Sequence, residues 1–192
     1  MSAADLRAWR ERGRMVEATP LGHQAFLVDE GDTGAAPEET LVLLHGFPES
    51  SYSYAGAFPL LAGRFRRLLS FDFIGFGFSE KPSDGFAYSL MEQADVALRL
   101  IRESGITGCH FLAHDMGDSV MTEILARLNE NSPAWFRAGI QSVSFTNGSM
   151  VLGDARLRVG QRALVSPLGP WLSRITDSPR IFEKQVVSAQ GN

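Results

Sequence analysis

Three short segments place polar, chemically reactive side chains directly after runs of apolar residues. They are 45-HGFP-48, 72-DFIGFGFSEKP-82 and 114-HDMGD-118. In the last of them, Asp115 follows the apolar run FLA and precedes Gly117, an order typical of a tight turn between a strand and a helix. Asp115 is therefore either a reactive carboxylate raised at the end of a sheet or only a polar residue of a turn.

A nucleophile at such a turn, called a nucleophile elbow, needs small residues two positions to either side because its backbone is strained. Ala113 and Gly117 meet that requirement. A carboxylate needs no base to activate it, since an aspartate with an ordinary pKa of about 4 is ionised at neutral pH. It suits attack on an sp³ carbon and leaves an alkyl-enzyme ester. Asp115 is thus the candidate nucleophile.

The elements that must position these segments alternate between strands and helices. Strand patterns occupy 14–19, 23–31, 41–47, 67–73, 109–113 and 139–149, and helical patterns occupy 3–12, 60–65, 89–103 and 118–129. Pro20-Leu21-Gly22 separates the first two strands and predicts a hairpin. Ser89 followed by Glu92 predicts a capping box. Buried apolar runs and short glycine loops predict an α/β protein with a mostly parallel sheet and flanking helices.

The pattern changes near position 150. Prolines interrupt the later chain at Pro167, Pro170 and Pro179. Helical patterns at 155–165 and 180–189 replace the strands there. We therefore predict an α/β core at 1–150 and a separate helical element at 151–192.

Composition and charge limit the class of protein. The chain has 192 residues, 44% of them hydrophobic, and a net charge of −4, which gives no reason to expect nucleic acid or an anionic membrane. No apolar run approaches the roughly 18 residues of a membrane span, and the N-terminus lacks the apolar centre of a secretory signal. The lone cysteine, Cys109, excludes an internal disulfide framework. We expect a cytoplasmic protein, and the sequence leaves its oligomeric state open.

The sequence predicts neither a metal nor another cofactor. The histidines are His23, His45, His110 and His114. Their spacing does not match that of metal ligands. Cys109 leads into an apolar run, so we expect a buried structural thiol rather than a reactive one.

Together, the segments HGFPESSY, DFIGFGFSEKP and AHDMGD resemble the α/β-hydrolase superfamily. They are similar to its branch of epoxide hydrolases and haloalkane dehalogenases, whose nucleophile is aspartate. DFIGFGFSEKP with His-Asp-x-Gly-Asp at the elbow is most similar to the mesoderm-specific transcript proteins of that branch. The resemblance covers residues 14–150 well and the later helices loosely. It implies an α/β-hydrolase fold that is incomplete at the C-terminus and ends with the start of a helical cap at 151–192.

The resemblance assigns roles at two strand ends. Asp115 would be the nucleophile, and the backbone N–H groups of Phe47 and Met116 would form the oxyanion hole. The turn that lines the pocket holds His45, Gly46 and Pro48. We expect a structural role for His45 and not that of the catalytic base.

Two residues beside the nucleophile have expected structural roles. His114 alternates to the other face of the strand and is expected to pack beneath Asp115. Asp118 departs from the small residue usual at its position. As an acid at a helix start it suits the helix dipole, so we expect a helix cap.

The reaction is less well defined than the fold. Haloalkane dehalogenases usually hold the halide with a tryptophan after the nucleophile and an asparagine after the His-Gly pair. Met116 and Phe47 occupy those positions and cannot donate side-chain hydrogen bonds, which weakens the case for a dehalogenase. The HGFPE turn favours an epoxide hydrolase, and we expect a small apolar substrate. Epoxide hydrolases activate the ring oxygen with two tyrosines of the cap. The tyrosines here all precede the elbow, at Tyr52, Tyr54 and Tyr88.

The family mechanism also needs a histidine that activates water and an acid that orients it. No histidine follows His114, so we expect this chain to be the N-terminal part of the hydrolase. Its last strand, at 140–146, would then be an exposed, aggregation-prone edge. Two alternatives stay open: a non-catalytic relative that binds a small ligand or a partner, and an ester or lactone hydrolase. The second is disfavoured because position 115 is not serine.

Overall fold

The computed structural model of the chain describes residues 3–148 and, beyond them, 162, 166–168 and 171. Contacts along the backbone separate a unit at 1–148 from a second at 149–192. The helical element expected at 151–192 lies almost entirely outside the described residues and stays a prediction. Within the part that is described, no helix combines the length and apolar composition needed to cross a membrane.

Strands and helices alternate through the described core. The strands are β1 Arg14–Glu17, β2 Gln24–Gly31, β3 Thr40–Leu44, β4 Arg67–Phe71, β5 Gly108–His114 and β6 Gly139–Thr146. The α-helices are α1 Ala3–Arg12, α2 Phe58–Leu61, α3 Leu90–Glu103 and α4 Met116–Glu130. Short 3₁₀ turns occupy Pro37–Glu39, Ser51–Tyr54 and Ala134–Phe136. This order confirms the α/β fold that the sequence predicted.

Two predicted helix boundaries are wrong. The helix expected at 60–65 begins at Phe58 and ends at Leu61, because Pro59 fixes its first turn. Helix α4 begins at Met116 rather than at residue 118, because Asp115 occupies the N-cap position. The predicted capping box of α3 is confirmed.

The sheet has six strands in the order β1-β2-β4-β3-β5-β6. β1 and β2 form the predicted antiparallel hairpin, and β2 also pairs antiparallel with β4. The pairs β3–β4, β3–β5 and β5–β6 are parallel. Because these four strands run in one direction, their carboxyl ends share one edge of the sheet, where α/β proteins bind ligands.

Apolar clusters cover both faces of the sheet. Every residue of β3 and β4 is buried, as the continuous apolar run of β3 predicted. One face packs against α3 and α4, and Cys109 lies buried there as expected. The other face packs against Trp9 of α1 and Phe58 of α2, whose rings meet edge to face at 5.1 Å between centroids. The burial of such a side chain contributes about 1.5–3 kcal/mol to stability.

Strand β6 lies at one edge of the described sheet. It pairs with β5 along its whole length, and Phe145 near its end is 38% exposed. The aggregation expected of this edge stays a prediction.

Candidate active site

Asp115 lies at the point where β5 turns into α4. Its backbone has φ 51° and ψ −111°, in the left-handed half of the map that a residue with a Cβ rarely adopts. The turn is tight on both sides. A Cβ at Gly117 would lie 2.5 Å from the carbonyl oxygen of Leu44, and one at Gly46 would lie 2.7 Å from Cβ of Asp115. The two glycines therefore allow the elbow to press against the end of β3.

The carboxylate of Asp115 is held through one oxygen. Oδ1 accepts the backbone N–H of Met116 at 2.7 Å and that of Phe47 at 2.9 Å. Among the described residues, Oδ2 has no hydrogen-bond partner. The two N–H groups that the sequence placed in an oxyanion hole thus converge on one atom, and the second oxygen remains available for chemistry.

His45 is fixed inside the turn that follows β3. The ring is fully buried, and Nε2 accepts the backbone N–H of Phe73 at 3.0 Å. The proton is therefore on Nδ1, which donates to the carbonyl of Gly46 at 2.8 Å. Burial lowers the pKa of His45, against the opposing effects of the Gly46 carbonyl and Asp72. A neutral ring with both nitrogens engaged orients the turn and cannot serve as a base.

The next bond of this turn, Phe47–Pro48, is cis. Glu49 closes the turn with its backbone N–H on the carbonyl of Gly46 at 3.0 Å. The Phe47 side chain is 60% exposed. The turn therefore presents one backbone N–H inward to Asp115 and an apolar ring outward.

His114 departs from its expected position. The imidazole is not buried beneath Asp115: its side chain is 30% exposed, and Nε2 lies 4.0 Å from Oε1 of Glu49. Nδ1 lies 3.1 Å from Oγ1 of Thr146, whose hydroxyl donates to the carbonyl of Ala113 at 2.8 Å. Because that hydroxyl proton is already used, Nδ1 is the donor. The hydrogen bond to Thr146 of β6 holds the imidazole beside the elbow. Nothing in the sequence around His114 predicts this bond.

Asp118 also departs from its expected role. It is fully buried, and neither carboxylate oxygen has a hydrogen-bond partner among the described residues. It does not cap α4, since Asp115 does so. Loss of solvent raises the pKa of Asp118 and nearby Asp115 adds to the rise, while the Thr146 backbone N–H and His114 oppose it. The Thr146 N–H lowers the pKa but forms no hydrogen bond to either oxygen of Asp118.

The comparisons with known proteins agree with this fold. Residues 39–153 match the family described as the alpha/beta hydrolase fold, and this is more than half of the chain. The chain therefore belongs to the α/β-hydrolase fold family. A "Putative hydrolase LipZ" of Mycobacterium tuberculosis is 39% identical over 176 residues, which cover 91% of this chain and 57% of that protein.

Other similar proteins carry different names. The "Mesoderm-specific transcript protein" of Mus musculus is 36% identical over 174 residues, covering 88% of this chain and 50% of that protein. Epoxide hydrolase VrEH1 from Vigna radiata superposes with a TM-score of 0.57 and 25% identity, over 71% of this chain and 40% of that one. This chain spans about half the length of the curated relatives it matches.

Proposed function

We propose that this chain carries the nucleophile and the oxyanion hole of a hydrolase that attacks an sp³ carbon, either of an epoxide or of a carbon–halogen bond. One observation carries the proposal. The carboxylate of Asp115 has Oδ1 bound by two backbone N–H groups and Oδ2 unbound among the described residues. That asymmetry is what a carboxylate nucleophile requires, because one oxygen is oriented and the other can attack.

The same two donors serve both steps of the reaction. In the first step Oδ2 bonds to the substrate carbon, the carbon–oxygen bond of the epoxide breaks, and the alkoxide takes up a proton. Oδ1 then becomes the carbonyl oxygen of the alkyl-enzyme ester. When water attacks Cγ in the second step, negative charge develops on Oδ1, where the N–H groups of Phe47 and Met116 already lie.

The side chains around Asp115 favour an epoxide over a halide. Phe47 and Met116 carry no side-chain donor that could hold a halide ion, and the exposed ring of Phe47 suits an apolar substrate. Two of the described tyrosines are already engaged: Tyr54 donates to the carbonyl of Leu44, and Tyr88 donates to the carbonyl of Pro82. The group that protonates the ring oxygen of an epoxide is therefore not expected to be Tyr54 or Tyr88.

The experiment is a single-turnover reaction of the full-length protein with racemic styrene oxide or 1,2-dibromoethane. We expect intact mass spectrometry to show one alkyl adduct and peptide mapping to place it on Asp115. Asp115→Asn should abolish the adduct. Asp84→Asn, at an exposed loop position, is the matched control and should react as the wild type does.

Two results would contradict the proposal. An adduct on another residue would assign the nucleophile elsewhere. A folded protein that neither probe alkylates would instead support the alternative of a non-catalytic binding protein.

A further inference from the structure

Asp118 is the one ionisable side chain in the described part of the chain whose buried polar atoms lack any partner. Buried Asp72 and partly buried Asp29 are satisfied by contrast. Asp72 accepts the backbone N–H groups of Ser51 and Phe78, each at 2.7 Å, and Asp29 pairs with Arg67 at 2.7 Å. A buried carboxylate is costly unless donors compensate it. The exception at Asp118 therefore indicates a donor that the described residues do not supply.

The carboxylate points to the end of β6. A Cβ built on Gly148 would lie 2.1 Å from Oδ2 of Asp118, so the carboxylate fills the space that a side chain there would occupy. The residues that follow this strand, Asn147 and Gly148, offer no acid of their own. Asp118 thus places a carboxylate against a strand end that lacks one.

Asp118 is also close to the nucleophile. Residues three apart at a helix start have Cβ atoms about 5–6 Å apart, and the backbone N–H of Asp118 donates to the carbonyl of Asp115 at 3.0 Å. The ionisable groups that face it are Asp115 and His114, with the hydroxyl of Tyr54 within electrostatic reach. His114 is not the missing donor, because its Nδ1–H is directed to Thr146.

We propose that Asp118 is the positioning acid of the second half-reaction, and that its carboxylate accepts the imidazole N–H of the histidine that activates water. This inference rests on the proposed function. The sequence has no histidine after His114, and the chain spans about half the length of its curated relatives, so the inference requires an imidazole from outside these 192 residues. Asp118 holds that ring in one tautomer and stabilises the imidazolium ion that forms.

The step balances as follows. The water oxygen bonds to Cγ of the Asp115 ester, and the imidazole takes one water proton. The bond between Cγ and the alkyl oxygen then breaks, and the departing alkoxide takes the proton from the imidazolium ion. Asp115 is left as a carboxylic acid that loses its proton to solvent. Asp118 keeps its negative charge throughout and forms no covalent bond.

The test follows formation and decay of the Asp115 adduct in the full-length protein after rapid mixing with styrene oxide or 1,2-dibromoethane. Asp118→Asn should form the adduct within about 3-fold of the wild-type rate and hydrolyse it at least about 100-fold more slowly, as expected when an orienting acid is lost. The midpoint of the hydrolysis rate against pH should also move down, because the imidazolium ion loses its counter-charge. Asp118→Glu should restore part of the rate.

Gly148→Ala tests the same contact from the other side. Its Cβ must displace the Asp118 carboxylate, so the adduct should again accumulate, and this variant decides the matter if Asp118→Asn folds poorly. Asp84→Asn is the control. A folded Asp118→Asn that hydrolyses the adduct at the wild-type rate with an unchanged midpoint would overturn the inference. Absence of both the adduct and the hydrolysis product in the wild type would instead overturn the proposed function, and this inference with it.

Discussion

The ends of β4 and β5 carry the same residue type at the same edge of the sheet, yet they use it in opposite ways. Asp72 after β4 is fully buried, and both of its carboxylate oxygens accept backbone N–H groups: Oδ1 accepts that of Ser51, and Oδ2 accepts that of Phe78. Asp115 after β5 also accepts two N–H groups, but both converge on Oδ1. Asp72, with both oxygens bound, ties two segments together, whereas Asp115 keeps one oxygen for the attack proposed above.

The backbone shows the same difference. Asp72 links the turn after β3 to the 72–82 loop, and the positive φ of 46° at Gly77 falls on a glycine. At the elbow, the positive φ of 51° falls on Asp115 itself. Strain of this kind costs about 1–3 kcal/mol and persists where the surrounding structure imposes it. The strained backbone thus falls on a glycine at the end of β4 and on the proposed nucleophile at the end of β5.

The largest effect should come from Asp115→Asn in the full-length protein. We expect turnover of styrene oxide to fall by at least about 10⁴-fold, as when other enzymes lose a nucleophile. The free energy of unfolding should change by less than about 1 kcal/mol, because the amide oxygen still accepts both N–H groups. Steady-state kinetics and urea denaturation measure the two quantities. If Asp115→Asn kept a tenth of the activity, Asp115 would not be the nucleophile, and its contrast with the structural carboxylate of Asp72 would be refuted.

Asp72→Ala should have the reverse profile. It leaves the N–H groups of Ser51 and Phe78 buried without an acceptor, and we expect a loss of about 3–5 kcal/mol in the free energy of unfolding. Activity per folded molecule should fall far less than for Asp115→Asn. Urea denaturation followed by circular dichroism checks the prediction. A loss below about 1 kcal/mol would mean that water replaces the carboxylate at little cost.

Gly117→Ala tests how closely the elbow presses on β3. The new Cβ would lie 2.5 Å from the Leu44 carbonyl oxygen, and since that atom belongs to the backbone of a buried strand it cannot move cheaply. We expect a loss of about 2 kcal/mol in stability, as for other overpacked sites. Gly56→Ala is the matched control, because nothing lies within 4 Å of its Cβ position and its φ is not in the left-handed region. Equal effects of the two substitutions would refute the close contact.

The sequence predicts the fold well because the deciding signals are local. Apolar runs marked the buried strands, glycines marked the turns, and Ser89 with Glu92 marked the start of α3. The elbow is recognisable locally, from Asp115 and the small residues on either side of it, although Phe47 and the end of β3 help to hold it. Asp118 and His114 were assigned wrongly for one reason. Their surroundings come from the end of β6 and the residues after it, about 30 positions later in the chain, and no nearby residue shows whether a polar side chain will be covered.

The smallest predicted effect is the change in the free energy of unfolding caused by Asp118→Asn. Its sign follows from the raised pKa of Asp118. The folded chain favours the protonated carboxyl of Asp118. The stability that this preference adds is complete below the ordinary aspartate pKa of about 4, and it is lost as the pH rises through the pKa of Asp118 in the folded chain. Asp118→Asn mimics the protonated form. In the 192-residue chain it should therefore raise the free energy of unfolding at pH 7 by about 1 kcal/mol, and the gain should vanish below about pH 4. Urea denaturation at both pH values measures the difference. Where an imidazole N–H reaches Asp118, as proposed above, the gain at pH 7 should shrink or reverse, because that N–H would compensate the charge that the variant removes.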